Sequence, residues 1–220
     1  MTTETTTGGA TGRSGRGIRG LRGRRRYTAA TFCVAILLLG WGAFVTSINA
    51  GLAVPDWPTS FQSYDPFNPW PEWWRVTPVL AEHGHRLLGA LVGLMTVVLA
   101  AWTWIRDDRR WMRLLGLGAV VLVTLQGLLG GLRVVWVSLD LAVVHACVAQ
   151  LFFALLASMI LFVSPSWDAV GHARRATDVD RRRVRRAAVL TPLAVYVQII
   201  LGALLRHPGT GIDPLLAGLH

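Results

Sequence analysis

Residues Val79 to Ile105 read VLAEHGHRLLGALVGLMTVVLAAWTWI, and this stretch governs how the whole chain is understood. From Leu87 to Ile105 it carries no charge, and as a helix rising 1.5 Å per residue it spans about 30 Å, the thickness of a bilayer's hydrocarbon core. A backbone in hydrocarbon has no water to bond to, so a run of this kind is a helix. Four further runs have the same character: Tyr27 to Asn49, Met112 to Leu132, Leu139 to Val163 and Ala187 to Leu205. The sequence thus predicts an all-α, polytopic membrane helix bundle. Composition agrees, because 220 residues that are 53% hydrophobic and 15% charged, with mean hydropathy +0.46, leave too little polar surface for a water-soluble domain.

The net charge of +10 would suit a nucleic-acid binder if it were clustered on a soluble surface, but it follows topology instead. All 22 basic residues are Arg. Seven lie in the tail before Tyr27, four between Arg106 and Arg113, and seven between Ser164 and Arg186. The alternate connections hold only Arg75, Arg133 and Arg206. Arg near short loops resists translocation, so the Arg-rich segments belong on the cytoplasmic side, and no nucleic acid is needed to explain them. The expected organisation is a disordered cytoplasmic tail over 1–26, a four-helix transmembrane bundle over 27–163, a cytoplasmic linker over 164–186 that can touch anionic lipid, and the start of a second bundle over 187–220. The first apolar run is too long for a signal-peptide core and is read as a retained anchor. Cys33 and Cys147 both lie in apolar runs and offer neither a metal spacing nor a loop disulfide.

Two segments resemble each other. Gln126 to Arg133 and Gln198 to Arg206 each close a span at the outer face; each is followed by an Asp, Asp140 or Asp213, and then by a His in an apolar run, His145 or His220. This reads as internal duplication of a helical unit. In the second copy, Leu215 to His220 would be only the first turn or two of a sixth span, so the sequence is expected to be truncated or to end at the interface.

Glu82, His83, His85 and Arg86 stand within five residues at the outer start of the second span, where ionisable groups are costly without partners. Glu82 and His85 share a helical face. His85 and His145 each lie six residues into their span, about 9 Å below its outer end. Two imidazoles at equal depth on separate helices suit axial ligation of an iron porphyrin. Gly89, Gly93, Gly127, Gly130 and Gly131 give the backbone room for a flat ring. The alternatives are that each His is simply hydrogen-bonded and that Glu82 forms a salt bridge with Arg86. His172 reads as solvated. The outer connection contains Pro55, Asp56, Trp57 and Pro58, a conformationally restricted segment that reads as a cap over a site, while Trp70, Trp73 and Trp74 suit an aromatic belt.

The segment Gly51 to Pro58, the Glu-x-x-His-Arg motif of Glu82 to Arg86, and the later His145 resemble the heme A synthase family. That resemblance implies two similar four-helix bundles, of which this sequence carries the first and the start of the second. It implies an oxidoreductase that converts the methyl group of heme O, its substrate, to the formyl group of heme A, with heme b as cofactor. His85 and His145 would hold the substrate heme and His220 would be the first ligand of the cofactor heme. Glu82 would be the catalytic acid-base or electrostatic group, and Arg86 would sit near a heme propionate. Heme O synthase and the cytochrome oxidase assembly machinery would be partners, in a bacterial plasma membrane. A cysteine pair found in the outer loop of many members is missing. The competing readings are a b-type cytochrome or anchor subunit with the same His pair, and a transporter without heme.

Overall fold

The computed structural model describes residues 11–68, 70–165, 167 and 178–206. Its helices are α1 (Thr11–Ser47), the short α2 (Glu72–Arg75), α3 (Thr77–Arg106), α4 (Arg110–Val135), α5 (Leu139–Phe162) and α6 (Asp178–Arg206). All but α2 are long and apolar enough to cross a membrane. Each matches one of the five runs picked out by hydropathy, to within three residues except at the N-terminal ends of α1 and α6. The protein is a polytopic membrane helix bundle.

Two of those N-terminal ends correct the sequence reading. The tail expected to be disordered over 1–26 is helical from Thr11 onward, and α6 begins at Asp178, inside the segment expected to be linker. The first extension is anchored by packing. Arg24 is 3% exposed and pairs with Asp107 at 2.9 Å, Trp102 packs against Gly23, and the Tyr27 hydroxyl donates to the Met95 carbonyl. These contacts tie the last turns of the supposed tail to α3.

Helices α1, α3, α4 and α5 form a ring in which α1 packs on α3, α3 on α4, α4 on α5, and α5 back on α1. Helix α6 lies outside it, against α5, with the Tyr196 hydroxyl donating to the Cys147 carbonyl. Lipid tails are as apolar as Leu, so helix association here depends on close packing and polar contacts rather than on escape from water. The half of the ring nearer the Arg106–Arg113 connection, termed inner, is solid. Val92, Leu99, Met112, Ala119, Leu156 and Met159 are fully buried there, and Gly116 lets α4 approach the Ala100 backbone of α3. Three buried hydroxyls within the spans are satisfied locally: Thr28, Thr31 and Thr96 each donate to the carbonyl four residues earlier.

A buried carboxylate fastens the inner ends. Asp107 binds Arg24 and Arg109, Arg109 also donates to the Phe162 carbonyl, and Arg113 donates to the Asp107 carbonyl. One side chain and its partners thereby join α1, α3, α4 and α5. Burial would raise the Asp107 pKa, but hydrogen bonds from Arg109 and the charges of Arg24 and Arg109 outweigh it and hold the carboxyl below its ordinary 3.8.

Candidate functional site

The outer half of the ring is hollow. A cavity of about 920 Å³ opens there, lined by residues of α1, α3, α4 and α5, by the outer loop, and by Gly202 and Ala203 of α6. It lies within the size range of cofactor sites. His85 and His145 both line it. They stand on α3 and α5, which are not adjacent in the ring, so the two imidazoles reach the cavity from opposite corners. Each rests on a glycine of a neighbouring helix: a Cβ on Gly42 of α1 would meet His85 Cε1 at 3.0 Å, and one on Gly130 of α4 would meet His145 Cε1 at 3.1 Å. Neither ring hydrogen-bonds to a described residue, and both Nδ1 atoms are buried without a partner. The reading of these residues as ordinary hydrogen-bonded histidines therefore finds no support. Gln126 donates to the backbone carbonyl of His145 at 3.0 Å, joining α4 to α5 at this level of the ring.

His83 is different. It is 2% exposed, its Nε2 lies 2.7 Å from the Pro66 carbonyl, and its ring packs on Trp73 at 5.1 Å. It fixes the outer loop to α3. Trp73 accordingly turns inward, while Trp70 and Trp74 remain exposed as an aromatic belt would.

Glu82 and Arg86 form the salt bridge that the sequence left as an alternative, at 2.9 Å. Glu82 Oε2 accepts the Val54 N–H. Arg86 donates to the carbonyls of Val54, Asp56 and Thr59 and to Ser60 Oγ. The guanidinium expected beside a heme propionate is thus engaged by the loop, because three carbonyls of that loop turn toward it. Both Glu82 and Arg86 still line the cavity.

The loop they hold is the expected cap. Asp56 accepts hydrogen bonds from Thr59 Oγ1 and from the backbone N–H groups of Phe61 and Gln62, which adopt φ of 53° and 61°. Burial opposes ionisation of Asp56, yet these three donors hold its pKa below 3.8. From this turn Trp57 reaches down onto Gly131 of α4, where no side chain could be accommodated.

Sequence reasoning passed over Arg133, which it used only as a marker of topology. Arg133 lines the cavity and lies against Gly51. His220 and Asp213, like His172 in the linker, lie outside the described residues. Among the described residues no cluster of three or more His, Cys, Asp or Glu could hold a metal ion by itself; an iron bound here would need the nitrogens of a porphyrin as well as the two imidazoles.

The chain matches the family model described as Cytochrome oxidase assembly protein, COX15-CtaA, over residues 25–213. It is 31% identical over 193 residues to a heme A synthase of Lysinibacillus sphaericus, covering 84% of this chain and 58% of that protein. To a heme A synthase of Symbiobacterium thermophilum it is 30% identical over 202 residues, covering 86% and 60%. A heme A synthase of a Methylobacterium species is 37% identical over 145 residues, covering 62% and 39%. The chain thus spans no more than 60% of the length of these relatives. No solved structure matches it.

Proposed function

Since the chain belongs to the cytochrome oxidase assembly protein family, COX15-CtaA, we propose that it holds heme O between His85 and His145 and serves the oxidation of the heme O methyl group to the formyl group of heme A. The observation that carries this reading is the pair of imidazoles on diagonal helices, lining one cavity and free of hydrogen bonds to the described residues. The conversion takes one carbon through two hydroxylations and loss of water, a four-electron oxidation that draws on an external electron acceptor. A bound heme b would supply electron relay; His220 is proposed as one of its ligands, in a second bundle.

The chain's own residues would contribute position and enclosure. His85 and His145 each offer one nitrogen, and Gly42 and Gly130 set the approach of the rings. Glu82 is proposed as the carboxylate near the reacting edge, and its contacts with Arg86 and Val54 favour a fixed electrostatic role over a mobile proton carrier. The Asp56 turn and Trp57 would close the outer mouth against water. We place the N-terminus in the cytoplasm of a bacterial cell, with heme O synthase and the oxidase assembly machinery as partners.

The test is to express the chain in a host that accumulates heme O, purify it, and identify the extracted pigment by mass. Bound heme O or heme A supports the reading. His85→Ala and His145→Ala should each lose the pigment, and Glu82→Gln should retain heme while yielding no heme A in the protein extended to its relatives' length. Pigment that is only heme b and is indifferent to Glu82→Gln would favour an electron carrier.

A further inference from the structure

Among the described residues, the polar groups at the cavity mouth leave one cation without a salt bridge, with the Glu82 carboxylate acting on it only from beyond contact. Arg86 is paired with Glu82 and further engaged by three loop carbonyls. Asp65, the other carboxylate lining the cavity, is exposed at the rim, where its Oδ1 accepts the Phe67 N–H. Arg133 reaches the same cavity from the last turn of α4, and among the described residues it forms no salt bridge. Its guanidinium's one hydrogen bond to a described residue runs from Nη2 to the Gly51 carbonyl at 3.5 Å, longer than the usual range for such a bond.

The position of Arg133 is built. A Cβ on Gly51 would stand 3.1 Å from Nη2 and 3.2 Å from Nη1, so any larger residue would press on the guanidinium. The neighbouring Gly131 receives Trp57, which packs the cap beside it. A half-buried guanidinium at the edge of hydrocarbon with no salt-bridge partner among the described residues is costly, and a carboxylate brought by the ligand would relieve that cost through paired, charge-assisted hydrogen bonds.

We propose that Arg133 is the anion-binding residue of the cavity, pairing with a carboxylate of its ligand, and that Arg86 is a positioning residue for the cap. The proposal rests on the reading of the cavity as a heme site, and it assigns the porphyrin propionates to the α4 end of the mouth. It also gives the ligand an orientation: its carboxylate edge faces outward and its apolar edge enters the bundle.

Ferric protoporphyrin IX and its dimethyl ester, titrated into the detergent-solubilised full chain and followed at the Soret band, test this. Wild type should bind the diacid more tightly than the ester. Arg133→Gln should weaken the diacid by about tenfold or more, the loss expected for a charged hydrogen bond, and leave the ester unchanged. The unchanged ester shows that the pocket has folded. Arg133→Lys, which keeps charge but not the fork, should fall between. Equal losses for both ligands, or no loss for the diacid, would overturn the assignment to Arg133. Failure of wild type to bind either ligand would overturn the heme reading itself, whereas equal binding of both by wild type would sink only the Arg133 inference.

Discussion

The indole of Trp57, in the outer loop, lies directly against the bare backbone of Gly131 on α4. A loop residue and a helix residue far apart in sequence thereby share one packing position at the mouth of the cavity. The contact involves the fused centre of the indole rather than a flexible tip, so it leaves no space for even a methyl group.

Gly131→Ala should therefore dislodge the cap. We expect a destabilisation of about 1–3 kcal/mol, typical of overpacking, together with faster proteolysis of the 52–62 loop. Thermal denaturation and limited proteolysis in detergent measure both; an unaltered loop would contradict the packing described.

Gly42 and Gly130 make a paired prediction. Alanine at either position presses on an imidazole at 3.0–3.1 Å without touching the Asp56 turn. Each variant should fold, retain helicity by circular dichroism, and shift or weaken the Soret band of added ferric heme. Wild-type spectra from both variants would mean that the rings do not hold the ligand.

The Glu82–Arg86 pair should behave as a buried ion pair whose halves depend on each other. Removing one partner leaves a desolvated charge and costs about 3–5 kcal/mol. Glu82→Ala should be severely destabilised, and the double variant Glu82→Leu, Arg86→Met should recover part of the loss because neither charge remains. Thermal midpoints of the single and double variants decide it; strictly additive losses would refute the coupling.

Asp107 predicts an acid limb. Its folded pKa is depressed, so its contribution to stability is present above its ordinary 3.8 and is lost as pH falls through the lower, folded value. Asp56 acts with the same sign. Melting temperatures of wild type should fall below about pH 4, and Asp107→Asn should start lower and fall less steeply over the same range. Parallel curves for the two proteins would show that Asp107 is not ionised in the lattice of Arg24 and Arg109.

The spans were legible because hydrocarbon imposes one requirement on every residue of a crossing segment, and a local window can detect it. His85 and His145 were legible for a related reason, since depth along a helix follows from counting residues. The contacts of Arg86 were not, because they depend on where a loop of Pro, Asp and Trp folds back, and helical spacing from Glu82 suggests the salt bridge but not the carbonyls. Arg133 was read only as a charge outside the membrane. Its place against Gly51, which precedes it by 82 residues, depends on where closure of the ring brings the loop after α1 relative to the end of α4.

Composition and periodicity therefore fixed the number of crossing helices, the alternation of charge between their ends, and two imidazoles at one depth, because each is a property of a single segment in a bilayer. Which guanidinium is held by the cap and which is left for a ligand, and why the ring is solid at one end and hollow at the other, emerged only from packing. Those properties belong to atoms brought together by closure of the helix ring, and no single segment contains them.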